Sequence, residues 1–130
     1  MIKKGFNCID VGPHIYNEKD DYPDFIIPTA KNVAEKRGSR GIVIGGSGQG
    51  EAIAANKVKG IRSVVYYGGP MKIITLSRKH NNSNILSLGS RFISMPDAKK
   101  ATLRWLNTPF SNESRHKRRI QKIKKFESNR

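Results

Sequence analysis

The sequence predicts one α/β domain in which helices cover a mostly parallel sheet, and three observations lead there. Short runs rich in β-branched and other apolar residues at 41–44, 61–67 and 85–88, the first without any charge, alternate with longer segments of helical periodicity. A glycine-rich loop joins the first of these runs to an Ala-rich helix. The chain has 130 residues, enough for one core but not for two domains. Alternating β and α elements wind into a parallel sheet with helices on both faces, a Rossmann-like three-layer sandwich. We treat residues 1–130 as a single domain, with 112–130 as its basic C-terminal helix and tail.

In chain order, Asn7 to Val11 reads as a short strand ended by Gly12-Pro13, and residues 14–21 as a polar loop. A helix follows from about Pro23 to Lys36, with Phe25, Ile26, Ala30, Val33 and Ala34 as its apolar stripe. Pro28 interrupts that stripe and predicts a kinked or irregular start; Gly38 ends it. Next come the strand Gly41–Ile44, the helix from 50 to 58 and the strand Ile61–Tyr67. Gly68-Gly69-Pro70 turns the chain into a helix of about 71–80. Ile85–Leu88 is the last strand, Pro96 opens a helix carrying Leu103, Trp105 and Leu106, and a final helix covers about Asn112–Phe126.

Composition narrows the function. The formal charge is +15, and the last 18 residues hold eight Lys/Arg against two Glu. Such a face offers a sequence-independent footprint for nucleic acid, but it equally draws in a small doubly charged phosphate. We favour the second reading and expect no nucleic-acid partner. The single cysteine, Cys8, excludes an intramolecular disulfide and fits a reducing cytoplasm. Its apolar neighbour Ile9 predicts a buried core residue rather than a nucleophile. No apolar stretch reaches membrane-spanning length, so no membrane partner is expected. No His/Cys/Asp cluster has metal-ligand spacing, and the reading includes neither metal nor cofactor.

The segment 41–60, GIVIGGSGQGEAIAANKVKG, carries the chemistry. A strand, a loop with Gly45, Gly46, Gly48 and Gly50, and a helix N-terminus put bare N–H groups around one small volume. Glu51 adds a carboxylate at its edge. The loop lacks the Lys-Ser/Thr of a P-loop and the spacing of a dinucleotide fingerprint. Taken alone, it could also be a tight turn that needs glycine and nothing more.

Six landmarks in order decide between these. They are Asp10-Val-Gly-Pro-His, Asp21-Tyr22-Pro23, Gly46-Ser47-Gly48-Gln49-Gly50-Glu51 with Ala54-Ala55-Asn56-Lys57, Arg78-Lys79-His80-Asn81-Asn82, Leu88-Gly89-Ser90-Arg91 and Arg115-His116-Lys117-Arg118-Arg119. From Gly5 to about Glu127 the chain resembles the ribose-5-phosphate isomerase B family, which includes galactose-6-phosphate isomerase subunits. Of the two active-site variants in that family, one has a Cys base just before the loop. With Gly45 there, this chain resembles the other, in which Glu51 is the base.

The resemblance implies an aldose–ketose isomerase of ribose 5-phosphate and ribulose 5-phosphate working through an enediolate. A six-carbon sugar phosphate as substrate, or a non-catalytic basic protein on the same scaffold, remains the alternative. It also implies the roles. Glu51 shuttles the proton, while the N–H groups of Gly46, Ser47, Gly48, Gln49 and Gly50 and the Ser47 hydroxyl steady the oxyanion. His80 opens the sugar ring with Asn81 beside it, both in the neighbouring subunit's site, so the active unit is a homodimer or a dimer of dimers. Arg115 and Arg119, four apart on one helix face, hold the phosphate together with Arg91. Tyr22 lines the pocket; His14 and His116 receive no role. The family begins with a further strand and helix ending in an Asp-His pair that this sequence lacks. In a sheet of order 2-1-3-4-5 that strand lies beside Asn7–Val11. The expectation is therefore either an earlier start or a degenerate copy.

Overall fold

The computed structural model describes residues 8–10 and 21–129. The expected strand at Asn7–Val11 lies largely outside them, and residues 8–10 carry no strand. His14 also lies outside. The described elements are α1 (Pro23–Glu35), β1 (Gly41–Gly45), α2 (Gln49–Asn56), β2 (Ser63–Tyr66), α3 (Lys72–Asn81), β3 (Ile85–Gly89), α4 (Met95–Asn107) and α5 (Ser114–Ser128). Helix α1 runs through Pro28 without a break. Proline has no N–H to give Asp24, and that carbonyl lies on the exposed first turn, where water can satisfy it. Cys8 is exposed, not a core residue as its apolar neighbour suggested; Ile9 beside it is exposed as well.

The three strands are parallel in the order β1-β3-β2. This corrects the order 2-1-3-4-5, in which strands following one another in the chain would lie side by side here. The last strand takes the centre because all five of its residues are buried, whereas β2 is half-exposed. A strand paired on both edges and covered on both faces must be apolar or satisfied throughout. Ile85, Leu86 and Leu88 meet that demand.

Alternation along β3 builds two cores. Val43 and Ile85 face one way and pack with Ile26, Ala30 and Val33 of α1 and Ala55 of α2. Leu86 and Leu88 face the other way, against Ile74 of α3 and Ala101 and Trp105 of α4. The chain leaves β1 through α2 on the first face, skips one position to β2, and returns through α3 on the second. Both crossovers are right-handed only if the two helices lie on opposite faces. Adjacent strands β1 and β3 therefore send their following helices, α2 and α4, to opposite faces. A crevice opens between such strands at their C-terminal ends, where α/β sheets bind ligands.

Candidate functional site

The glycine loop sits in that crevice. Gly45 O accepts from Ser90 N at 2.8 Å and Gly46 O from Arg91 N at 3.0 Å, so the segment after β3 clamps the loop after β1. Gly48 has φ 78°, and a Cβ there would also lie 3.1 Å from the Leu88 carbonyl carbon. Its carbonyl accepts from Ser87 Oγ at 2.7 Å inside the fully buried centre of β3. The first N–H groups of α2, which begins at Gln49 directly after this loop, have no intrahelical carbonyls to meet. Ser47 Oγ accepts from Gln49 N at 3.2 Å, which leaves its own proton to donate.

Glu51 is only 9% exposed. Its carboxylate packs directly on Gly45, where any Cβ would collide with it. The Arg91 guanidinium covers Gly46, with Nε 3.0 Å from the place of a Cβ, and the Tyr22 hydroxyl covers Gly50 at 2.6 Å by the same measure. Glu51, the loop, Tyr22 and Arg91 thus form one group at the C-terminal end of the sheet.

His80, Asn81, Arg115 and Arg119 form a second group elsewhere. Helix α3 runs back along the sheet, so its C-terminus at Asn81 lies beside Ser83 and Asn84, just before β3 begins. There His80 and Asn81 close one end of a groove of about 280 Å³ between α3 and β2, lined also by Val64, Val65 and Ile73. Ser111 anchors the approach to α5 by donating to Lys79 O from both N (3.3 Å) and Oγ (2.6 Å). His116 then stacks on His80 with ring centroids 4.3 Å apart and planes at 16°. Arg115 and Arg119 are exposed on α5, Arg115 only 3.9 Å from the Glu113 carboxylate. A five-residue strand is roughly 16 Å long, and that length separates the two groups within one chain.

Three arginines brace helix C-termini around this end of the molecule. Buried Arg78 donates to Thr108 O, Ser83 O and Asn82 Oδ1; Arg62 donates to Asn81 O and Asn82 O; Arg40 donates to Trp105 O and Leu106 O. Each caps carbonyls at or just beyond a helix C-terminus. Loss of solvation, then the Arg40 and Arg62 charges, lowers the Arg78 pKa to about 10, still fully cationic at neutral pH.

Sequence reasoning missed Ser87, which fixes the loop, and His116, which backs His80. A serine inside the apolar run Ile85-Leu86-Ser87-Leu88 was the available signal for the first. For the second, the landmark Arg115-His116-Lys117-Arg118-Arg119 marked the residue but gave it no partner.

Residues 1–123 match the family model for ribose/galactose isomerase. The chain belongs to the ribose/galactose isomerase family. It is 39% identical over 127 residues to ribose-5-phosphate isomerase B of Mycobacterium tuberculosis, covering 98% of this chain and 77% of that protein. The Escherichia coli ribose-5-phosphate isomerase B is 37% identical over all of this chain and 85% of its own length. Among solved structures, the Mycoplasma genitalium ribose-5-phosphate isomerase B with bound ribulose-5-phosphate superposes with a TM-score of 0.92 at 38% identity, covering 99% of this chain and 84% of that one. The Clostridium thermocellum enzyme gives 0.90 at 41% identity, with 98% and 84% covered. The chain is accordingly an aldose–ketose isomerase on a Rossmann-like fold. Among the described residues, no helix of this isomerase is long and apolar enough to cross a membrane.

Proposed function

We propose that the isomerase interconverts ribose 5-phosphate and ribulose 5-phosphate through an enediolate, with one proton moving between C2 and C1 and one between O2 and O1. Substrate and product are isomers, so the reaction balances within one molecule and calls for no redox partner. The observation that carries the reading is the Glu51 carboxylate seated on Gly45 at the mouth of the crevice. The family resemblance implies a base supplied either by a cysteine at this position or by the Glu after the loop. A side chain at position 45 and the Glu51 carboxylate would occupy the same volume, so either base would attack from one place. Glu51 takes the proton from C2 and returns it to C1, while the loop N–H groups and the Ser47 hydroxyl hold the charge on the oxygens.

His80 is the acid that opens the furanose ring, and Arg115 and Arg119 grip the phosphate. A proton acceptor or donor works at about 3 Å, and the span of a β-strand forbids Glu51 and His80 of one chain from reaching one sugar. The site therefore forms between two copies: the loop, Glu51, Tyr22 and Arg91 from one, and His80, Asn81, Arg115 and Arg119 from the other. The names of the relatives and the ribulose-5-phosphate bound in the Mycoplasma structure support the pentose substrate. A coupled assay comparing ribose 5-phosphate with six-carbon aldose phosphates tests it. Preferred turnover of the pentose is expected; preferred turnover of a hexose phosphate overturns the substrate, and turnover of neither overturns the activity.

A further inference from the structure

We propose that His116 is a positioning residue for His80, a buried ring that holds the His80 imidazole flat against it and so fixes the edge presented to the sugar. The inference rests on His80 acting as the ring-opening acid. Among the described residues, no hydrogen bond orients the His80 ring, which is half-buried at the end of its groove. Its ring contact is the face-to-face stack on His116, 4.3 Å between centroids. His116 is held rigidly: only 4% of it is exposed, and Ser111 ties the entry to α5 onto the end of α3.

The charged groups around the pair favour a neutral His116. Its Nε2 lies 3.0 Å from Glu113 Oε2 but is not aligned to donate a hydrogen bond. Loss of solvation, then His80 of α3 and Arg115, lowers the His116 pKa below its ordinary value; Arg119 adds to this and Glu113 opposes it. Two imidazolium rings at this separation repel each other. With His116 neutral, no charge on it opposes the stack when His80 acts as the ring-opening acid. As the pH falls and His116 becomes charged, the stack should open and the acid lose its aim.

The test compares His116→Ala with His116→Phe, which keeps a flat ring but cannot titrate. The Ala variant should lose about 10- to 100-fold in kcat/KM for ribose 5-phosphate, the scale of misplacing a catalytic group. The Phe variant should stay within about threefold of wild type and lose less activity on acidification. In NMR spectra, the His80 ring protons should show the upfield shift of a stacked ring in wild type and Phe, but not in Ala. Equal impairment of Ala and Phe, unimpaired Ala, or His80 signals that do not move in Ala would each overturn the proposal. An inactive wild-type protein would instead overturn the functional reading, and the NMR comparison separates the two failures.

Discussion

If each site draws on two chains, two variants that are inactive alone should rescue one another. Glu51→Gln removes the proposed base at the C-terminal end of the sheet, and His80→Ala removes the proposed acid at the other end. The strand between them spans roughly 16 Å, so neither group can serve a sugar held by the other within one chain. In a two-fold dimer of one variant of each kind, both lesions fall in one site and the second site is intact. Equal amounts that pair at random give half heterodimers, each with one of two sites working, so about a quarter of wild-type activity should return. The assay is coupled turnover of ribose 5-phosphate after co-expression or co-refolding, beside each variant alone. Were each site built within one chain, every heterodimer site would carry a lesion. Activity no higher than that of the variants alone would refute the shared site.

Arg115→Ala and Arg119→Ala should each weaken substrate binding by about 1.5–3 kcal/mol, the range for hydrogen bonds to charged groups, and the double variant by less than the sum. Unchanged Michaelis constants would remove α5 from the site. Gly45→Cys in the otherwise unchanged protein should lower turnover sharply, because its side chain collides with the Glu51 carboxylate; normal turnover would mean that the carboxylate rests elsewhere. The pH dependence of stability follows from His116, whose folded pKa lies below its ordinary 6.5. Between the two values the unfolded chain binds the proton and the folded one does not. Stability should therefore fall as the pH drops below about 6.5, and thermal unfolding at pH 7.5 and 5.5 should show a smaller difference in His116→Phe.

Local pattern made most of the fold legible. Runs of β-branched residues and glycine punctuation located β1, β2, β3 and the five helices to within a few residues. What failed was non-local. The order β1-β3-β2 depends on which strand is buried on both faces and both edges, and Ile85–Leu88 looks no more buried in sequence than Ile61–Tyr67. Pro28 reads as a breaker, yet an exposed first turn tolerates its missing N–H. The loop and Glu51 were readable because strand, glycines and carboxylate are contiguous. That His80 lies at the opposite end of the sheet from Glu51 follows from α3 running antiparallel to the strands, which no local pattern encodes; only the family resemblance pointed to a second subunit there. Ser87 and His116 act on partners 39 and 36 positions away, and the sequence shows neither partner.

The central claim is that Glu51 moves the proton, and Glu51→Gln tests it most directly. Gln keeps the volume packed on Gly45 and the start of α2, and loses only the ability to accept a proton. Turnover should fall by about 10²–10⁴, the usual contribution of a general base, while the Michaelis constant and the unfolding temperature change little. A carboxylate that merely stabilised the N-terminus of α2 would cost about 0.3–1 kcal/mol of stability and leave turnover intact. Near-normal turnover in Glu51→Gln would contradict the account and assign the proton transfer to another group.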